Sequence, residues 1–235
     1  MQPQDETAVT IDGWILSASP GTQSLSPVKP PKRRTVPAGP IHISTDQLLT
    51  KNYVRVTGAL HGNVLLLKSW QPVSEPQPFV IAEWERLRDK ATAHLEKHAM
   101  TFAPEADTVR AHEFAFALLR HESVTNVVAV DTPRGRLFIV ASPDPSSAEA
   151  EINDHGLTDH VLVLEARWSA DAVEQADEVL SGLPDDENVM ISGGISSHGE
   201  PIHEIVLLRR NDHFTRLTEL FPAEQVAVRA WIHPA

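Results

Sequence analysis

The chain has no cysteine among its 235 residues. That excludes disulfides, thiolate metal sites and cysteine nucleophiles. No apolar run approaches the roughly 20 residues needed to span a bilayer. The first residues, Met-Gln-Pro-Gln-Asp-Glu, lack the basic start and apolar core of a secretory leader. A cytoplasmic protein with no membrane partner is therefore expected. Catalytic signatures are also missing. The stretch 191–199 (ISGGISSHG) has small residues and a histidine. It lacks both the G-x-S-x-G spacing that exposes a nucleophilic serine and the Gly-Lys-Ser/Thr ending of a phosphate-binding loop. It reads as a glycine-bearing strand, with a bulge or a close sheet contact, running into a polar turn. Asp154-His155, Asp159-His160 and Asp212-His213 are sequence neighbours that point apart, so they read as capping and turn chemistry.

What the chain does have is acid, unevenly placed. The net charge is −12. Residues 1–74 hold seven Lys/Arg and four Asp/Glu, and residues 75–235 hold thirteen and twenty-eight. The acidic part repels a phosphate backbone, whose binding depends on charge neutralisation. Six prolines fall between Pro20 and Pro40, together with the basic residues Lys29, Lys32, Arg33 and Arg34. Proline fixes φ and removes a donor, so this stretch is expected to be an extended loop.

Around that loop the pattern is β. Residues 8–16 (AVTIDGWIL), 41–44, 53–59 (YVRVTGA) and 64–70 (VLLLKSW) read as strands, the last two joined by a tight turn at His61-Gly62-Asn63. Residues 71–78 are a linker by composition. Phe79 to about Met100 is a helix with Trp84, Leu87, Ala91 and Leu95 on one face. His94 and His98 share that arc. An i, i+4 histidine pair is a candidate metal site if a third ligand arrives, although here the pair continues an apolar stripe. No cofactor is expected.

From Glu105 to the end, one unit reads as if written twice at a fixed offset of 65, over 105–169 and 170–235. Ala111, Phe114, Ala115 and Leu118 fall on Ala176, Val179, Leu180 and Leu183; Val130 falls on Ile195, Ile152 on Leu217 and Val161 on Val226. Repeats are the first thing to seek in a chain of this length. Each copy reads α-β-β-α-β. Ser146 with Glu149, Ser169, and Asn211 or Asp212 are the expected helix N-caps. A unit of 65 residues is marginal alone, so the two copies are expected to pack on each other or on helix 79–100. The predicted architecture is thus α+β, with a small β-barrel-like module (1–74), a linker and helix (75–104), and a tandem duplication of αββαβ units.

Two resemblances follow from these residues. Val54-Arg-Val-Thr-Gly58, the turn and Leu65-Leu-Leu-Lys-Ser-Trp70 are similar to the central hairpin of OB-fold domains, which have five strands where four are visible here. The segments NVVAVDTPRGRLFIVAS and INDHGLTDHVLVLEA, with their partners in the second copy, resemble the alpha-lytic-protease propeptide and the wider KH-like αββαβ group. The first likeness implies single-stranded nucleic-acid binding, with Tyr53 and Trp70 stacking on bases and Lys29, Lys32, Arg33, Arg34, Arg55 and Lys68 meeting phosphates. The second implies a chaperone- or inhibitor-like role toward another protein. A KH-type RNA clamp needs a GxxG loop, which the chain lacks. The favoured expectation is a non-enzymatic protein-binding or scaffold protein. Arg134, His198 and Trp231 are its candidate partner-surface residues, and the hairpin turns at 132–135 and 197–200 are expected to be exposed. Nucleic-acid binding and an enzyme with a site of unfamiliar form are the alternatives.

Overall fold

The computed structural model describes residues 8–16, 23–27, 41–45, 49, 53–98, 105–121, 123–184 and 188–235. Lys29, Lys32, Arg33 and Arg34 lie outside the described residues, as does most of the proline-rich stretch. The N-terminal part is a closed five-strand barrel of β1 (Ala8–Ile15), β2 (Gln23–Ser26), β3 (Ile41–Ser44), β4 (Tyr53–His61) and β5 (Val64–Pro72), in the order β1-β2-β3-β5-β4 with β4 returning to β1. Only β3 and β5 run parallel. Alternation puts Val9, Ile11 and Ile15 of β1 inside, against Leu25, Ile41, Ile43, Val54, Val56 and Leu65.

The fifth strand, β2, escaped the sequence reading because its residues are Gln-Ser-Leu-Ser. All four are buried, and the Gln23 Oε1 accepts from the Leu49 N–H at 2.7 Å. Its polar groups are satisfied inside the fold, so hydrophobic periodicity carries no trace of it.

The β4–β5 hairpin holds a bulge. Thr57 faces Ser69 but Gly58 faces Leu67, leaving Lys68 as the extra residue. Alternation reverses there, so Leu65 and Leu67 precede the bulge on the core side and Trp70 follows on that same side. A Cβ on residue 58 would sit 2.1 Å from the Leu66 carbonyl oxygen, which only glycine avoids.

Helix α1 (Phe79–Lys97) follows, then two α/β units. The first comprises α2 (Glu105–Ala117) with a 3₁₀ turn at Leu118–Arg120, β6 (Asn126–Thr132), β7 (Gly135–Ser142), α3 (Pro145–Asp154) and β8 (Val161–Glu165). The second comprises α4 (Ala170–Ser181), β9 (Asn188–Ile195), β10 (Pro201–Leu207), α5 (Asp212–Leu220) and β11 (Val226–Ala230). Both are αββαβ, with sheets ordered β6-β7-β8 and β9-β10-β11. In each, the hairpin is antiparallel and the last strand runs parallel to the middle one. Phe138 faces Val161 and, 65 residues on, His203 faces Val226.

The offset fails in one strand. Val140 faces Val127, but Ile205 faces Ile191, so β9 is displaced by one residue. Val130 therefore corresponds to Gly194 rather than Ile195. The caps at Ser169 and Asn211 are as expected. The α3 cap is Asp144, whose Oδ1 accepts from the Ser147 N–H, rather than Ser146. Pro145 then occupies the first helical position, where its missing N–H costs nothing.

Three packing layers join the parts. Ala111 and Ala115 of α2 and Leu118 of the 3₁₀ turn, with Ile152 of α3, cover one face of the β6–β8 sheet. Leu87, Ala91 and Leu95 of α1 cover the other, against Val130, Leu137 and Ile139. Each of those fully buried leucines contributes about 1.5–3 kcal/mol. Ala176, Leu180 and Leu217 cover the β9–β11 sheet, and Val206 and Met190 of that sheet reach the barrel core. Finally β12 (Ile232–Pro234) pairs antiparallel with Val9–Ile11 of β1, beside the part of β1 that β2 leaves uncovered.

Candidate functional site

Among the described residues three carboxylates are buried, and each joins elements distant in sequence. Glu200 is fully buried after β9 turns toward β10. It accepts from the backbone N–H groups of Arg167 and Trp168, from Arg167 Nε at 3.2 Å and from Ser196 Oγ at 3.2 Å. Glu83 of α1 accepts from the Ser197 N–H at 2.8 Å and from Arg86. Burial pushes the Glu83 carboxyl up, but the bonds from Ser197 and Arg86 outweigh it and hold it below its ordinary value. Asn126 Nδ2 donates to the Gly199 carbonyl at 2.8 Å. The turn 196–200 is therefore packed against α1, β6 and the chain after β8. Gly199 has φ +85°, and a Cβ there would lie 3.1 Å from Ile139 Cγ2. The expectation that this turn is exposed is overturned: its polar groups are bonded inside the protein.

The third carboxylate, Glu204 on β10, is buried behind a cleft whose lining includes its partner Arg229. Its Oε2 accepts from the Phe79 N–H at 2.9 Å, which satisfies an otherwise orphaned donor at the start of α1. Its Oε1 lies 3.2 Å from Nε of Arg229 on β11. Arg229, Tyr53, Glu75, Met190, Ile81 and three prolines (Pro27, Pro76, Pro78) line a cleft of about 460 Å³ between the barrel and the second αββαβ unit. A side lobe runs past Asp12 and Trp231. Trp14 faces Tyr53 across β1 and β4, with ring centroids 5.8 Å apart and edge-on. Trp14 Nε1 donates to Glu75 Oε1 at 2.9 Å. Burial pushes the Tyr53 hydroxyl up from its ordinary value, Asp12 and Glu75 add to that, and Arg229 partly offsets them. Tyr53 is thus a neutral hydroxyl at the edge of the cleft, whose oxygen accepts from Arg229. Asp12 is paired with Arg55 and Glu204 with Arg229. Glu75 has no cationic partner among the described residues, so the cleft carries an excess of negative charge.

The residues singled out in the sequence scatter over this frame. Tyr53 is buried and Trp70 packs against the barrel core, so neither offers a free stacking face. Arg55 makes a two-point ion pair with Asp12, at 2.8 and 2.7 Å. Lys68 stands exposed on the bulge. His94 and His98 stack with centroids 4.5 Å apart; His94 Nε2 donates to the Thr158 carbonyl and His98 Nδ1 lies 2.8 Å from Asp159 Oδ1. Among the described residues, no group of three or more His, Asp or Glu is placed to hold a metal ion. Arg134 is exposed at the first hairpin turn, 3.9 Å from Glu96. His198 Nδ1 donates to the Glu165 carbonyl at 3.0 Å, inside the contact between the two units. Trp231 is buried, and its Nε1 donates to the Asp12 carbonyl. Trp231 is too buried to present the partner surface expected of it, while His198 is half-buried. What the sequence reading missed is the trio Glu83, Glu200 and Glu204, and Arg229. One signal for them exists: an acid inside an apolar strand, as in Ile202-His-Glu-Ile205, needs a buried partner. Among the described residues no helix is long and apolar enough to cross a membrane. No protein-family model matches the chain, and no curated protein matches it in sequence.

Proposed function

We propose that the protein is a protein-binding module whose cleft between the barrel and the second αββαβ unit receives an extended, basic segment of a partner. The observation that carries this is the composition of the cleft. Its walls are prolines with Tyr53, Ile81 and Met190, and its one uncompensated charge is Glu75. Rigid proline walls lose little freedom when a chain lies against them. An apolar trough with one carboxylate that lacks a cationic partner suits an apolar chain bearing a lysine or arginine, and the acidic field of residues 75–235 steers such a segment inward. Glu204 and Glu83 tie α1, which carries Ile81, to the second αββαβ unit by direct bonds.

The test is capture of partners by immobilised protein, repeated with Ile81→Arg and Glu75→Lys in the cleft and Leu220→Arg on α5. Ile81 and Leu220 are both exposed, so both changes leave the core intact. The reading requires a partner retained by the wild type and by Leu220→Arg, and released by both cleft variants. Retention by Ile81→Arg would overturn it. A second reading, single-stranded nucleic-acid binding by an OB-like barrel, is favoured by closure with five strands, the number that fold requires. It predicts oligonucleotide affinity that falls steeply with salt and weakens in Lys68→Ala. No binding at low salt would remove it.

A further inference from the structure

A second cavity, of about 220 Å³, lies on the seam where β12 joins the barrel. Its floor is apolar: Val9 and Leu60 come from the barrel, and Ile232 and Pro234 from β12. Its remaining lining is Arg209, Arg210 and His233. The charge of this lining runs against the rest of the molecule. The chain has 32 Asp/Glu for 20 Lys/Arg, so two adjacent arginines beside an apolar floor with no acid stand out. Arg55, Arg86, Arg134, Arg136, Arg167 and Arg229 are paired with carboxylates, whereas Arg88, Arg120 and Arg216 stand exposed without an ion pair among the described residues and line none of the cavities named here. Arg209 and Arg210 have no ion-pair partner among the described residues; Arg210 lies over the Phe214 ring at 5.2 Å. The cleft described above and the cavity beside His94 and His98 each include a glutamate. This lining includes no acid.

We propose that this cavity binds a small organic anion: a short apolar body carrying a carboxylate or a phosphate monoester. The guanidinium groups supply fork-shaped donors matched to either head, and the aliphatic floor takes the body. Junctions between folded units are where such sites form most often. Because the lining comes from both the barrel and the second unit, an occupant would clamp the two together.

Hexanoate, hexyl phosphate and the uncharged hexanamide are the probes, followed by ¹H–¹⁵N correlation spectra of the full chain. Both anions, or one of them, should give saturable shifts at residues 9, 60, 209–210 and 232–234, with dissociation constants on the order of 0.1–1 mM for so few atoms. Which anion binds more tightly identifies the head group. Hexanamide should bind roughly tenfold more weakly or not at all. Replacing both arginines (Arg209→Ala with Arg210→Ala) should weaken the anions by roughly tenfold or more. Leu60→Trp should block the floor while leaving both arginines in place. Circular dichroism melts of each variant establish that it is folded. Hexanamide binding as well as the anions, unchanged affinity in the double variant, or no saturable shift with either anion would overturn the proposal. These outcomes are independent of the cleft, none of whose variants touches this lining.

Discussion

The hairpin of the first αββαβ unit turns at residues 132–135 in solvent, while that of the second turns at 196–200 against the first unit and α1. The first turn has a bond from Thr132 Oγ1 to the Gly135 carbonyl and an exposed Arg136–Asp131 pair beside it. The second is bonded through Glu83, Glu200, Asn126 and Arg167. One topology thus uses the same loop once as a free tip and once as a bolt between units. The β9 slip belongs to this difference. Gly194 replaces the buried Val130 of the first unit, and a Cβ on it would lie 2.7 Å from Val80 Cβ, so α1 crosses the second sheet closely at that point.

The comparison can be broken at four places. Glu200→Ala has the largest expected effect, because it strands the Arg167 guanidinium and two backbone donors. Loss of one partner of a buried pair costs about 3–5 kcal/mol, read as a fall in the urea midpoint. Gly199→Ala comes next, at about 2–3 kcal/mol from the positive φ and the Ile139 contact together. Gly135→Ala should cost less, since its φ is +134° but nothing lies within 4 Å of a Cβ there. If the two glycine variants unfold alike, the asymmetry of the turns has no energetic weight.

The third place is Glu83, and it depends on pH. Its folded value lies below the 4.5 of an unperturbed side chain. Its contribution is then complete above that value and is lost as pH falls through the lower folded value. Glu83→Gln should cost about 1–2 kcal/mol at neutral pH. The gap from wild type should close as pH falls below 4.5. A gap that stays constant down to acid unfolding would show that the carboxylate charge does no holding. The smallest effect belongs to the free tip: Asp131→Asn removes an exposed pair and should change stability by about 0.2–1 kcal/mol.

The order of elements from 79 onward was legible because helix and strand periods differ, and because Ser169 and Asn211 cap as their side chains dictate. Legibility ended where polar residues are buried. Gln23 and Ser26 hide a strand in a proline-rich stretch, and Glu204 satisfies a helix start 125 residues away. Trp231 and His198 read as surface because pattern gives no partner for a lone large or polar side chain near a loop. The cleft was illegible altogether: Tyr53, Glu75, Met190 and Arg229 meet only after the barrel and the second sheet have docked.

The pairing of β12 with β1 has a consequence for how the chain is made. Ile232 reaches Ile11 across more than two hundred intervening residues. During synthesis the barrel strands emerge early, yet Val9–Ile11 keep open backbone donors and acceptors on one side until β12 leaves the ribosome. An unpaired strand edge is a template for joining other chains, and so distant a closure is slow. A nascent chain arrested after β5 should accordingly be the stage most prone to self-association, with pairing of β12 ending that hazard.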